Sequence, residues 1–209
     1  MRRRGDVAVA GIVLAAGAGR RFGGPKALVR LGDRTLLERA VDALAAGGVR
    51  LPIYVVLGSQ LDSALPTMAD MRVSWNMLWQ EGIGSSVRHG IEQLESGCAF
   101  TAAVISLVDQ PGVEAAAVER LIKAHRAGAA IAVPTYGGRR GHPVLLGRAS
   151  WPAVKELAIG DEGARAFMRA HPELVVEIAC DDLRFPDDID TPADLARLEL
   201  QLAIRPTCS

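Results

Sequence analysis

Cysteine is scarce in this chain, with Cys98, Cys180 and Cys208 the only three among 209 residues. They are scattered, odd in number, and have neither C-x-x-C spacing nor a histidine cluster nearby. This argues against a disulfide framework and against a zinc site. Net charge is missing as well. Lysine and arginine number 24 against 24 aspartates and glutamates, and no basic run follows Arg2 to Arg4. The electrostatic footprint of a nucleic-acid or anionic-membrane binder is therefore absent. No apolar run approaches the ~18 residues of a membrane span, and no repeats or low-complexity tracts occur. What is left is the composition of an ordinary globular enzyme, 49% hydrophobic. It reads as one domain over 1–204 with a patternless tail at 205–209, cytoplasmic in location, acting on small molecules.

The outline of a signal peptide is present in Met1-Arg2-Arg3-Arg4 and the apolar residues after it. Asp6 interrupts the junction, no clean run of leucines follows, and cleavage would remove the first strand together with the loop behind it. The segment is read as part of the mature chain.

That strand and loop, Val7 to Lys26, are the most informative stretch. Apolar residues run into Ala15-Ala16-Gly17-Ala18-Gly19, then Arg20, Arg21 and Lys26. Small residues let backbone N–H groups approach an anion, and the three cations add fixed positive charge, the combination that holds polyphosphate. The two commonest phosphate loops do not fit. A G-x-G-x-x-G fingerprint starting at Gly17 meets Phe22 where glycine is required, and a Walker A loop would need Gly-Lys-Ser/Thr where the chain has Gly24-Pro25-Lys26-Ala27.

Downstream, strand-like runs alternate with helical periods, which predicts an α/β fold with a largely parallel sheet covered on both faces. Thr35 and Glu38 make a capping box for a helix whose apolar face is Leu36, Leu37, Ala40, Val41 and Leu44, ending at Gly47-Gly48. Strands are expected at Ile53 to Leu57, Arg72 to Trp75, Ala102 to Val108, Ala129 to Val133, Val144 to Leu146 and Leu174 to Ile178. Helices are expected at Leu61 to Ala69, Ser85 to Leu94, Glu114 to Ala127, Ala149 to Leu157 and Asp161 to Ala170. A last helix follows Thr191-Pro192, with Thr191 as N-cap. Gly137 to Gly141 reads as a flexible basic turn.

Four features outside the loop carry chemistry. Asp109 closes the strongest internal strand, and a carboxylate at the carboxyl end of a central parallel strand sits where such sheets bind ligands, which argues for a metal site. The alternative is an aspartate that caps the Pro111-Gly112 turn or the next helix. Asp190, before the last helix, is a second carboxylate. Mg²⁺ takes one or two of these and completes its shell with water and phosphate oxygens, while an acidic turn at a helix start is also a common solvated cap. Gly82-Ile83-Gly84-Ser85 is a glycine-interrupted turn that holds a ligand, or one in which Ser85 merely caps the helix that follows. Gly141-His142-Pro143 contains a lone histidine, a residue more often structural than functional. Trp75, Trp79 and Trp151 form no stacking pattern and read as core or cleft-rim residues.

Taken in order, Leu14 to Lys26, Gly82 to Ser86, Asp109 to Pro111, Gly141 to Pro143 and Asp188 to Leu195 resemble the motifs of the molybdenum-cofactor nucleotidyltransferases (MobA-like NTP transferases), with Val108 and Gln110 departing from the usual Gly and Met. The Ala15-Ala16-Gly17 segment resembles the cytidylyl branch, whereas the guanylyl branch carries Ala-Gly-Gly there. The resemblance implies a three-layer α/β/α sandwich with a mostly parallel, Rossmann-like sheet of the nucleotide-diphospho-sugar transferase type. It implies transfer of CMP from CTP to the phosphate of molybdopterin with release of pyrophosphate, and a molybdoenzyme as recipient of the product. It assigns Leu14, Ala15, Ala16, Gly17, Gly19, Arg21, Lys26, Gly82 and Ser85 to the nucleotide, and Gly141 and His142 to the acceptor. Asp109 and Asp190 are assigned to Mg²⁺, and Arg21, Lys26 and Asp109 to catalysis. A guanylyltransferase, a transferase acting on sugar phosphates or other small phosphates, and a non-catalytic cofactor chaperone stay open as alternatives.

Overall fold

A computed structural model describes residues 8–58, 65, 68–96 and 100–203. Residues 1–7 of the leader-like segment, most of the helix expected at Leu61 to Ala69, Cys98, Cys208 and the tail lie outside the described residues.

The chain begins with β1 (Val9–Ala15), and a small ribbon, β2 (Arg30–Leu31) with β3 (Arg34–Thr35), then leads to α1 (Leu36–Ala46). β4 (Arg50–Leu57) and β5 (Met71–Trp75) precede α2 (Ile83–Glu95), β6 (Ala102–Leu107) and α3 (Ala115–Arg126). β7 (Ile131–Tyr136), β8 (Arg139–Arg140) and β9 (Val144–Gly147) are followed by α4 (Trp151–Leu157) and α5 (Arg165–Ala170). β10 (Val175–Ala179) and α6 (Pro192–Ala203) complete the order.

The sheet runs β10-β7-β9-β6-β1-β4-β5, with β8 paired to β7. Neighbours β5, β4, β1 and β6 are parallel, as are β7 and β10, and β9 is inserted antiparallel between β6 and β7.

Side-chain alternation along the buried strands builds the two outer layers. On β1, Val9, Val13 and Ala15 face a core shared with α1 and α3, where Leu36, Leu37, Val41, Val118 and Leu121 are buried. Ala10, Ile12 and Leu14 face the opposite core, with Val87 and Ile91 of α2, Trp151 and Val154 of α4, and Phe167 of α5. The fold is thus a three-layer α/β/α sandwich. Thr35 caps α1 as the sequence predicts, its hydroxyl accepting from the Glu38 N–H while the Glu38 carboxylate accepts from the Thr35 N–H.

Three local expectations are corrected. β7 continues through Pro134 instead of stopping at Val133, because the Pro134 carbonyl rather than its missing N–H makes the cross-strand bond, accepting from Gly141 N–H at 3.0 Å. The basic turn is a hairpin, with Tyr136 opposite Arg139 and Thr135 opposite Arg140. The helix expected from Asp161 to Ala170 is interrupted at Gly163, whose φ of 55° leaves helical space, so that a 3-10 turn (Gly160–Glu162) precedes the short α5. Among the described residues no helix is long and apolar enough to cross a membrane. Cys180 is a buried free thiol.

Candidate active site

The phosphate loop leaves the carboxyl end of β1 and folds around the carbonyl of Gly19, which accepts the N–H groups of Phe22, Gly23 and Gly24 at 2.9, 2.9 and 3.2 Å. Gly19 has φ 60°, and a Cβ there would run into the Gly24 carbonyl, so this position requires glycine. The closed loop returns the chain toward β1 and delivers Lys26 to the sheet edge.

Asp109 follows the neighbouring strand β6. The Ile189 N–H donates to the Asp109 carbonyl at 2.8 Å, and Gln110 Nε2 donates to Asp188 Oδ1 at 2.8 Å. These two links tie the turn before α6 to the end of β6 and bring Asp190 beside Asp109. Lys26 Nζ donates to both, at 2.9 Å to Asp109 Oδ2 and 2.7 Å to Asp190 Oδ1, and Arg21 pairs with Asp190 at 3.0 Å. Burial works against the charge on Lys26, yet the hydrogen bonds and charges of the two aspartates outweigh it and hold its pKa above the ordinary value. The Lys26 hydrogen bond is also what keeps the Asp190 carboxyl below the usual range. Neither aspartate acts as a helix cap. That role belongs to Thr191, whose hydroxyl accepts from Asp194 N–H while the Asp194 carboxylate accepts from Thr191 N–H.

These residues line a cavity of about 520 Å³ with Leu14, Ala16, Gly17, Gly19 and Gly82. Ala15 does not line it, because strand alternation turns its methyl into the α1 core. Ser85 is also behind the wall. The buried Asn76 side chain donates to Ser85 Oγ at 2.9 Å and Ser86 Oγ at 3.1 Å, and Ser85 Oγ donates to the Gly82 carbonyl at 2.8 Å. The serine facing the cavity is Ser86. Helix α2 starts at Gly82 without a side-chain cap, which corrects the capping alternative for Ser85.

A second cavity of about 610 Å³ opens on the other side of Leu14, Ile83 and Leu107, and Gly141 and His142 line it. Burial, reinforced by the nearby charge of Arg165, pulls the His142 pKa down to about 4, so the imidazole is neutral near pH 7. Its Nδ1 is buried without a partner among the described residues. Of the tryptophans, Trp79 lines the first cavity, while Trp151 is core, its Nε1 donating to the Leu146 carbonyl at 3.0 Å.

Sequence reasoning passed over Asp161 and Arg165, which sit 50 or more positions downstream of Asp109. The signal available for them was the glycine-flanked, charged run Gly160-Asp161-Glu162-Gly163-Ala164-Arg165. Gly82 (φ 100°) and Gly84 explain how it reaches the site, since a Cβ on either would strike the backbone of Gly160 or Ala158.

A loop that exposes small residues and cations, beside two carboxylates converging on one ammonium at the carboxyl edge of a parallel sheet, is built to bind and polarise a polyphosphate. A model of the MobA-like NTP transferase domain matches residues 11–175. The chain belongs to that family. Among relatives of this MobA-like chain, nicotine blue oxidoreductase of Paenarthrobacter nicotinovorans is 38% identical over 202 residues, covering 91% of this chain and 96% of that one. The crystal structure of Rv0371c from Mycobacterium tuberculosis H37Rv has a TM-score of 0.81 at 29% identity, with 93% and 98% of the two chains covered. A second structure of Rv0371c, a complex with manganese, has a TM-score of 0.70 at 28% identity, covering 92% and 98%. Molybdopterin-guanine dinucleotide biosynthesis protein A from Archaeoglobus fulgidus shares the fold, with a TM-score of 0.64 at 21% identity over 94% of this chain and 100% of that one.

Proposed function

We propose that this MobA-like protein transfers the nucleotidyl group of an NTP, CTP foremost, to the phosphate of a molybdopterin-type acceptor and releases pyrophosphate. The observation that carries the reading is the convergence of Lys26, Asp109 and Asp190 beside the phosphate loop, within 2.7 to 2.9 Å. An oxygen of the acceptor phosphate attacks the α-phosphorus. As that bond forms, the bond to the bridging oxygen of the β-phosphate breaks, and its electron pair leaves with pyrophosphate. Near neutral pH the acceptor phosphate is already ionised, so the protein needs no nucleophile of its own, and its work is positioning and charge stabilisation.

The loop amides, Arg20 and Arg21 hold the β- and γ-phosphates, and Lys26 stabilises the charge that develops on the leaving group. Asp109 and Asp190 are the residues that would hold a divalent cation, Mg²⁺ in this reading. Two carboxylates already share one cation, an all-oxygen donor set that suits Mg²⁺ or Mn²⁺ with phosphate oxygens and water completing the shell. Bound there, such an ion supplies charge neutralisation to the triphosphate. The manganese complex of Rv0371c supports a divalent site. Ala16 lines the cavity where the guanylyl branch carries glycine, and its methyl narrows the space above the loop, which favours the smaller pyrimidine.

A second reading is an oxidoreductase, favoured by one observation, the 38% identity to nicotine blue oxidoreductase over almost the whole of both chains. The missing dinucleotide fingerprint at Phe22 weighs against it. One experiment separates the readings. The purified chain is given each of the four NTPs with Mg²⁺ and molybdopterin while pyrophosphate is measured, and in parallel NADH or NADPH with an organic dye acceptor while absorbance at ~340 nm is followed. CTP-dependent pyrophosphate release supports nucleotidyl transfer, nicotinamide oxidation without it supports the second reading, and binding without either would leave a cofactor-carrying chaperone.

A further inference from the structure

The second cavity is unlike the first in the state of its charges. Four guanidinium groups line it, those of Arg139, Arg140, Arg165 and Arg169. Arg140 is paired with Glu177 at 2.7 Å, Arg169 with Glu162 at 3.0 Å, and Arg139 lies over the Phe185 ring at 4.3 Å. Among the described residues Arg165 has neither a carboxylate nor a ring against it. Its neighbour in the wall is His142, whose buried Nδ1 also has no partner among the described residues. Much of the remaining wall is apolar, including Val87, Ile105, Val133, Met168 and Phe185. Three carboxylates share the wall, those of Glu162, Asp187 and Asp188: Glu162 is taken up by Arg169, and Asp188, whose charge weighs on His142, is held by Gln110 at 2.8 Å.

An unpaired guanidinium beside an unpartnered buried nitrogen, over an apolar floor, is complementary to a molecule with a flat apolar body and an anionic end. The backbone explains why Arg165 stands there. Gly82 and Gly84 admit the 158–161 backbone against the start of α2, Arg88 donates to the Ala158 carbonyl, and Gly163 turns the chain into α5. The same short run therefore places Asp161 on the first cavity and Arg165 on the second.

We propose that Arg165 is the anion anchor of the second cavity, gripping the phosphate or another anionic group of a flat ring-bearing acceptor that lies along the Val87–Met168 floor with its ring polar edge toward His142. The proposal rests on the nucleotidyltransferase reading only in calling this molecule the acceptor, and its binding test stands apart from that reading. The probe is 4-nitrophenyl phosphate, titrated calorimetrically into the full chain with the first cavity saturated by a non-hydrolysable CTP analogue and Mg²⁺. The wild type is expected to bind it. Arg165→Met should weaken binding at least tenfold, Arg165→Lys should recover part of it, and Arg169→Met, which removes a guanidinium already paired, should stay within about twofold of wild type. The affinity for the CTP analogue should be the same in all four proteins. In turnover with molybdopterin, Arg165→Met should raise the acceptor KM and leave the CTP KM unchanged. Wild-type affinity in Arg165→Met, equal losses in the Arg165 and Arg169 variants, or no binding to the wild type would each overturn the proposal. Absence of pyrophosphate release with intact, Arg165-dependent probe binding would overturn the transferase reading and leave the anchor in place.

Discussion

The two cavities share Leu14, Ile83 and Leu107 as a common wall, yet they solve opposite electrostatic problems. In the first, Lys26 and Arg21 are matched by Asp109 and Asp190 at 2.7 to 3.0 Å, so the central charges are balanced in the unliganded protein and keep one another in place. In the second, Arg165 and the Nδ1 of His142 have no partner among the described residues. In the proposed function a balanced cluster exchanges partners when a polyphosphate and its cation enter, which suits a site that also releases its product. An unbalanced cation waits for its counter-ion, which suits a site that selects. In the proposed function, the first region serves the chemistry and the second serves recognition.

The largest expected break in this contrast comes from Lys26→Ala, which should lower pyrophosphate release by about 10³-fold, since one preorganised donor to a developing charge contributes that much. Lys26→Arg should recover little, because a planar guanidinium does not sit between two carboxylates as a compact ammonium does. Removing the shared cation also leaves two carboxylates facing each other, so the unliganded alanine variant should lose on the order of 1–2 kcal/mol by urea denaturation. Retained activity would reduce Lys26 to a structural tie.

Asp109→Asn and Asp190→Asn follow, each reducing metal-dependent turnover by about 10²-fold. Each single variant keeps one carboxylate on Lys26, and a partly exposed pair contributes about 1 kcal/mol or less, so unliganded melting should move little. If the two act as a unit, the double variant should be far better than the product of the singles predicts. Multiplicative losses would mean that they serve different steps.

A smaller effect is expected at Ala16, the nucleotide selector of the proposed function. Ala16→Gly should improve GTP relative to CTP by about tenfold in kcat/KM, the scale of one methyl in a fitted pocket. An unchanged ratio would place base selection elsewhere, with Asp161 the next residue to vary.

The least effect on turnover belongs to His142. With a folded pKa of about 4 against 6.5 unfolded, the unfolded chain binds the extra proton first as pH falls. Stability should therefore decline between pH 6.5 and 4, by no more than about 1.4 kcal/mol per pH unit, and level off below. His142→Asn should flatten that part of the denaturation curve, while activity between pH 6 and 8 shows no histidine inflection. A slope unchanged by the substitution would mean that His142 titrates normally.

Legibility in the sequence followed the same division. The first cavity rests on local signals: an apolar strand, a loop whose Gly19 is sterically required, an aspartate closing a strand, and a threonine-capped helix behind Asp190. Each is written within a few residues, and α1 shows the same economy, burying the five apolar positions its period predicts. The second cavity is assembled from contacts that span the chain. Antiparallel β9 carries no mark distinguishing it from a parallel strand, Pro134 masks the length of β7, and Gly163 breaks a helix that periodicity favours. Ser85 and Ser86 are indistinguishable until the Gly82 carbonyl claims the hydroxyl of Ser85. Arg165 acquires meaning only when Gly82 and Gly84 are seen to admit its segment.

The most direct test is product analysis. The protein is incubated with CTP, Mg²⁺ and molybdopterin, and the acceptor is examined by mass spectrometry while pyrophosphate is counted. The account predicts a gain of one CMP per acceptor, matched by one pyrophosphate, in the wild type and almost none in Lys26→Ala. An acceptor of unchanged mass with every NTP, or equal yields from the two proteins, would contradict it.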